Sequence, residues 1–237
     1  MENIIQRIDH ADWGGVTEEM HQNGFAMLPK LLTDAQCEAL KAGYGSSGQY
    51  RKTVVMARHR FGLGEYKYFD YPLPALIQTI RTEMYARLAP IANTWFSALK
   101  VDVQFPAEHG DFLHQCHQAG QRKATVLILK YGEGGFNTLH QDLYGEVYFP
   151  MQVVLFLDAP GQDYTGGEFV LTQQVPRAQS KAMVLQPRKG DLLIFTTNFK
   201  PEKGSKGYYR VNMKHGVSEV KSGSRHTLGI IFHDATS

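Results

Sequence analysis

From about residue 122 onward the apolar side chains follow no helical period, and this restricts the possible folds more than any other property of the chain. Segments 124–131, 147–157, 168–173, 182–186, 191–196, 210–214 and 225–232 each read as a short strand bounded by polar or glycine-containing turns. So many short strands must cover or close their edges, and the expectation is a mainly β chain with flanking α, built as a closed or double-sheet antiparallel structure.

The helices belong to the N-terminal half. Residues 1–24 are polar and mixed and read as an arm or short helix, and 25–28 as an early strand. Thr33 with Gln36 three positions on predicts a capped helix over 33–42, stopped by Gly43. Leu76, Ile80, Met84, Leu88, Ile91 and Trp95 keep helical spacing through 74–99, a support helix that Pro90 is expected to kink or divide. His109, His114, Cys116 and His117 form no recognised closed zinc pattern, and a loop with a short helix near the catalytic mouth is expected there. One domain is expected over 1–237, with 1–121 as N-terminal elaboration and support and 122–237 as the metal-bearing core.

Two basic strips interrupt this plan. Residues 51–70 follow a Gly/Ser loop, begin with a strand at 53–57 and carry Arg51, Lys52, Arg58, Arg60 and Lys67 against Glu65 and Asp70. Residues 58–71 read as a solvent-facing loop whose aromatics cap the main sheet. The alternative is substrate contact through Arg58, Arg60, Tyr66, Lys67 and Tyr68, since cations and rings together suit phosphate and stacked bases. The second strip includes 200–209, expected as an exposed basic loop; 161–167, GQDYTGG, reads as a chain-reversing turn.

With 25 basic and 23 acidic residues, overall charge does not by itself point to nucleic acid. No stretch approaches the roughly 20 apolar residues of a membrane span, so no membrane partner is expected. Cys37 and Cys116 are too few for a disulfide framework, which favours a reducing, cytoplasmic setting.

The chemistry is concentrated in 127–142, LILKYGEGGFNTLHQD. In extended backbone, residues two apart point the same way, so His140 and Asp142 can converge on one point while Gln141 faces away. His215 is the candidate third ligand. Two imidazoles and one carboxylate hold ferrous iron on one face and leave the other positions open. Arg225, ten residues beyond His215, can reach inward and hold a carboxylate through paired charge-assisted hydrogen bonds, with 2-oxoglutarate the expected owner of that carboxylate.

Together HQD at 140–142, GGEFVL at 166–171, GDLLIF at 190–195, HGV at 215–217 and SGSRHTLGIIF at 222–232 resemble the iron(II) and 2-oxoglutarate-dependent dioxygenase superfamily. The resemblance implies a double-stranded β-helix (jelly roll) with N-terminal support helices. It also implies Fe(II), 2-oxoglutarate and molecular oxygen as reactants, with His140, Asp142 and His215 on the metal. The approach KYGEGGFNTLHQD looks like that of AlkB-like nucleic-acid demethylases, in which the residue at Tyr131 helps position 2-oxoglutarate. Leu129 and Ile231 stand where that branch has Asn and a second Arg. The ten-residue step from His215 to Arg225 looks more like the prolyl-hydroxylase branch. The whole chain resembles a little-characterised group of bacterial oxygenases held to act on alkylated DNA. The resemblance therefore implies oxidative demethylation of alkylated, single-stranded nucleic acid, with a protein (prolyl-type) or small-molecule hydroxylase as the alternative. A non-catalytic jelly-roll binding protein is the rival of a different class, and oligomeric state is left open.

Overall fold

The computed structural model describes residues 3–46 and 48–237; Met1, Glu2 and Ser47, which fall in the expected N-terminal arm and Gly/Ser loop, lie outside the described residues. Its helices are α1 (Ile4–Asp9), α2 (Trp13–Asn23), α3 (Asp34–Ala42), α4 (Ala75–Ala98) and α5 (His109–Gln118). The strands of the first half are β1 (Phe25–Leu28), β2 (Tyr50–Val55), β3 (Gly62–Leu63) and β4 (Glu65–Phe69). Then come β5 (Leu127–Tyr131), β6 (Phe136–His140), β7 (Met151–Phe156), β8 (Tyr164–Gly166), β9 (Phe169–Gln174) and β10 (Lys181–Leu185). The chain ends with β11 (Leu192–Thr196), β12 (Phe199–Gly204), β13 (Gly207–Val217), β14 (Val220–Gly223) and β15 (Arg225–Ile231).

The strands make two facing antiparallel sheets. The larger runs β1-β11-β7-β15-β5-β4-β2; the smaller runs β10-β9-β13-β6-β3, with β12 folded back on β13. A separate pair, β8 and β14, lies outside both. β7 shows how the layers are assembled. Every residue of MQVVLF is buried, and alternation divides them. Val153 and Leu155 join the helix-side core with Ile80, Met84, Leu88 and Trp95, whereas Val154 and Phe156 join Phe169, Leu171 and Phe195 between the sheets.

Of the two outcomes expected at Pro90, division of the support helix does not occur. α4 continues through it as one element of 24 residues. Proline removes one backbone donor, but the flanking Leu88, Ala89, Ile91 and Ala92 are all buried against the sheet, and that packing outweighs one missing hydrogen bond. No described helix is long and apolar enough to cross a membrane. The 33–42 helix has the expected capping box, with Thr33 and Gln36 bonding each other's backbone N–H.

Three segments expected as loop or turn contain strands, although 161–163 do form the expected turn. Within 58–71, a 3-10 turn (Met56–His59) leads to β3 and β4, and β4 is hydrogen-bonded between β2 and β5. Its sequence EYKYF is an alternation in which tyrosines take the inner face, a period masked by counting all its rings and charges together. The 200–209 segment is the β12–β13 hairpin, its Lys200 buried and paired with Glu202. Residues 164–166 of the glycine-rich turn pair with β14. Finally, α5 is not at the catalytic mouth. His109 bonds the Phe232 carbonyl at 2.8 Å and His117 the Asp234 carboxylate at 3.0 Å, which ties this helix to the C-terminal segment on the helical side.

Candidate active site

β6 and β13 are neighbours in the smaller sheet, and their register sets His140 directly opposite His215. Gly216 makes this approach possible: a Cβ there would lie 2.7 Å from the Asn137 carbonyl oxygen of β6. The two imidazole centroids are 4.2 Å apart. Asp142, two residues beyond His140, places Oδ1 3.5 Å from His140 Nε2 and Oδ2 3.3 Å from His215 Nε2. One ligand atom from each of the three side chains lies within 4.8 Å of the others, and this is the metal-compatible group found among the described residues.

Hydrogen bonding and burial suit the group to a cation. His140 Nδ1 sits 2.7 Å from the Thr138 carbonyl oxygen, so Nδ1 carries the proton and Nε2 presents its lone pair to the centre. Burial alone would raise the Asp142 carboxyl, but the hydrogen bond and charge of His215, then His140 and Gln152, hold it well below the usual carboxylate range. Burial, then the neighbouring His140, lowers His215 and favours its neutral form. Holding a metal would require the carboxylate ionised and an unprotonated nitrogen on each imidazole.

Two further residues hold the carboxylate. Gln152 Nε2, on the inner face of β7, donates to Asp142 Oδ2 at 2.9 Å, and the Tyr144 hydroxyl donates to Oδ1 at 3.0 Å. Both escaped sequence reasoning, although each left a signal. Gln152 is the one polar residue of a fully buried strand, and Tyr144 continues the two-residue period of His140 and Asp142.

Arg225 opens β15 and pairs in register with Tyr131, the last residue of β5. Its guanidinium carbon lies 5.6 Å from the Tyr131 ring centroid, 5.5 Å from Phe156 and 5.9 Å from Tyr164. Arg225 is only 1% exposed, yet Nε, Nη1 and Nη2 all lack a hydrogen-bond partner, as does the buried Tyr131 hydroxyl. An unpaired buried guanidinium is unfavourable, and a carboxylate is the anion its planar fork fits. Burial, partly opposed by Arg225, pushes the Tyr131 hydroxyl up to about 12, so it remains a donor. Gly167 provides the space: with φ at +62°, its absent Cβ would fall 2.9 Å from Arg225 Cδ.

The triad, Arg225 and Tyr131 line one cavity of 270 Å³. Of the residues considered for substrate contact, Tyr66 lines it, and Tyr68 stands behind Tyr144 with their hydroxyls 3.5 Å apart. Arg58 and Arg60 are exposed on the turn before β3 and do not line it. Lys67 turns to the other face of the sheet, where its Nζ donates to the Tyr44 carbonyl at 2.9 Å and lies over the Tyr44 ring.

A family model named Oxygenase-NA, described as an oxygenase catalysing oxidative methylation of damaged DNA, matches residues 64–235. Two uncharacterised proteins of Mycobacterium tuberculosis, Rv2227 and MT2286, are each 45% identical to the chain over 167 residues, covering 70% of it and 72% of their own length. Among solved structures, an oxidoreductase of the 2OG-Fe(II) oxygenase family from Burkholderia pseudomallei matches with a TM-score of 0.55 and 15% identity, covering 96% of this chain and 95% of that one. A Pseudomonas putida prolyl-4-hydroxylase matches with a TM-score of 0.53 and 15% identity, covering 92% and 96% respectively. At that identity the likeness establishes the fold, a jelly roll.

Proposed function

The chain belongs to the Oxygenase-NA family and is an Fe(II)- and 2-oxoglutarate-dependent oxygenase, and from that premise we propose that it oxidises an N-methyl group of alkylated, single-stranded nucleic acid. The observation that carries the assignment of residues is the unpartnered Arg225 guanidinium, buried in the same cavity as the His140–Asp142–His215 group. His140 Nε2, an Asp142 oxygen and His215 Nε2 hold the iron. Arg225 pairs with the distal carboxylate of 2-oxoglutarate, and the Tyr131 hydroxyl donates beside it.

Iron, 2-oxoglutarate and oxygen supply the conversion of a substrate C–H bond to C–OH, with one oxygen atom going to succinate and carbon dioxide released. The chain supplies orientation. Arg225 and Tyr131 fix the co-substrate from the larger sheet while the histidines act from the smaller one. The apolar wall of Leu127, Leu129, Val154 and Phe195 excludes water around the reacting carbon. An N–CH2OH product then breaks its C–N bond and leaves as formaldehyde, restoring N–H. We place this activity in the cytoplasm.

Succinate and formaldehyde measured together test the reading. Protein loaded anaerobically with ferrous iron, then given oxygen and 2-oxoglutarate, is expected to release both in equal amounts only with N-methylated single-stranded DNA, and neither after His140→Ala. Succinate without DNA stimulation or formaldehyde would contradict it and favour the second reading, a protein or small-molecule hydroxylase. That alternative draws on the ten-residue step from His215 to Arg225 and leaves a stable alcohol. The non-catalytic alternative falls with family membership.

Gln152 provides a separate check. Gln152→Leu removes the donor on Asp142 Oδ2 without changing side-chain bulk greatly, so ferrous affinity is expected to fall by about 10–100-fold while the fold persists. Anaerobic metal titration measures this, and unchanged affinity would remove Gln152 from the metal-positioning role.

A further inference from the structure

The inner face of the larger sheet continues past the wall of the metal-bearing cavity. Register places Thr227, Leu129, Tyr66 and Val54 in one row across β15, β5, β4 and β2. The next row is Gly229, Leu127, Tyr68 and Lys52. Because strand residues alternate faces, all eight positions share one surface. Its first part lies in the 270 Å³ cavity, and Val54, Tyr68 and Lys52 lie in a second cavity of 260 Å³ over the edge strand β2. Phe61, Tyr66 and Tyr144 are walls of both.

The second cavity differs from the first in charge. Arg51, Lys52 and His59 line it, no Asp or Glu side chain does, and Ala235 and Ser237 stand at its border. Arg51 is held in place, its Nε donating to the Ala124 carbonyl at 2.9 Å and its guanidinium stacked 4.6 Å from the Tyr68 centroid. None of the ion pairs among the described residues engages Arg51 or Lys52, nor Arg58 and Arg60 on the adjoining turn. At the rim Phe61 is 45% exposed and stacks on His59, with ring centroids 5.3 Å apart and planes 21° from parallel.

A small metabolite would need only the first cavity. Two cavities sharing aromatic walls, with unpaired cations beside the second, match a polymer that repeats a flat ring and an anion. An acidic peptide would answer the charge but bring no repeating flat ring to the exposed Phe61. Adjacent bases of an intact duplex stay stacked on one another, so a strand using both cavities is locally unpaired.

We propose that the second cavity is the subsite for the nucleotide neighbouring the one presented to the metal, with its phosphate on Arg51 and Lys52 and its base against Phe61 and Tyr66. This subsite rests on the nucleic-acid reading above. It gives that reading a direction: the strand runs from the metal pocket across β4 toward β2.

Anisotropy of a labelled N-methylated single-stranded oligonucleotide, with anaerobic protein carrying ferrous iron and 2-oxoglutarate, tests it across a salt series. The wild type is expected to lose affinity linearly in log salt. In R51Q/K52Q the slope is expected to shrink by about 0.7, the value for one lost phosphate contact on a single strand. Phe61→Ala, which leaves charge alone, is expected to weaken binding on the order of tenfold at unchanged slope. Thermal unfolding of both variants verifies that they are folded. If the wild type binds and R51Q/K52Q keeps its slope, the subsite is overturned while the nucleic-acid reading stands. If the wild type binds no oligonucleotide, or binds a polyglutamate peptide equally well, the reading and the subsite fall together.

Discussion

Arg225→Met is expected to leave the ligand-free protein as stable as the wild type or more stable, while removing most of its affinity for 2-oxoglutarate. Both effects follow from one geometry. The guanidinium is surrounded by Tyr131, Phe156 and Tyr164 and has no hydrogen-bond partner, so the ligand-free fold bears its desolvation without a hydrogen-bonded anion. Replacing buried charge by a well-packed apolar side chain is often neutral or stabilising by about 1–4 kcal/mol. Losing one partner of a buried charge pair in a complex costs about 2–5 kcal/mol, or roughly 30- to 5,000-fold in affinity. Thermal unfolding without ligands gives the first number and calorimetry with 2-oxoglutarate gives the second. A strongly destabilised variant with ordinary 2-oxoglutarate affinity would mean that Arg225 is a structural cation.

Asp142→Asn acts on the other half of the site. It preserves shape but removes the one negative charge among the three side chains proposed to hold the iron. The new amide can accept a hydrogen bond through its oxygen, yet it cannot satisfy both the Tyr144 and Gln152 donors as the carboxylate does. Ferrous affinity is expected to fall further than the about 10–100-fold typical of losing an outer partner. Metal that binds only the folded state stabilises it by about 2.7 kcal/mol when present at 100 times its Kd. The wild-type unfolding temperature should therefore rise on anaerobic addition of iron, and that of Asp142→Asn should not rise at the same iron concentration. Equal rises in the two proteins would place the iron elsewhere.

The parts of this site legible in the sequence were those carried by short-range periodicity. Two-residue spacing brings His140 and Asp142 to one point, and the capping box of Thr33 and Gln36 marks the start of α3 because both partners lie within one turn. Long-range register was not legible. Nothing local tells that β7 delivers Gln152 to Asp142, or that β4 inserts between β2 and β5 and turns Tyr66 inward while Lys67 goes outward. The same holds for Pro90, where local chemistry argues for a break and buried packing along α4 overrides it. A basic segment likewise reads as exposed loop until pairing is known, as Lys200 shows, buried beside Glu202 in a hairpin.

The coupling of iron to 2-oxoglutarate across the two sheets is the most direct measure of the whole arrangement. If His140, Asp142 and His215 hold the metal and Arg225 holds the far carboxylate, each ligand must raise affinity for the other by the same factor. Anaerobic calorimetry of 2-oxoglutarate, with and without ferrous iron, should show that enhancement in the wild type. Arg225→Met should bind iron normally but 2-oxoglutarate weakly, and Asp142→Asn should bind 2-oxoglutarate with no gain from iron. Iron-enhanced binding of 2-oxoglutarate that survives unchanged in both variants would contradict the assignment of the site.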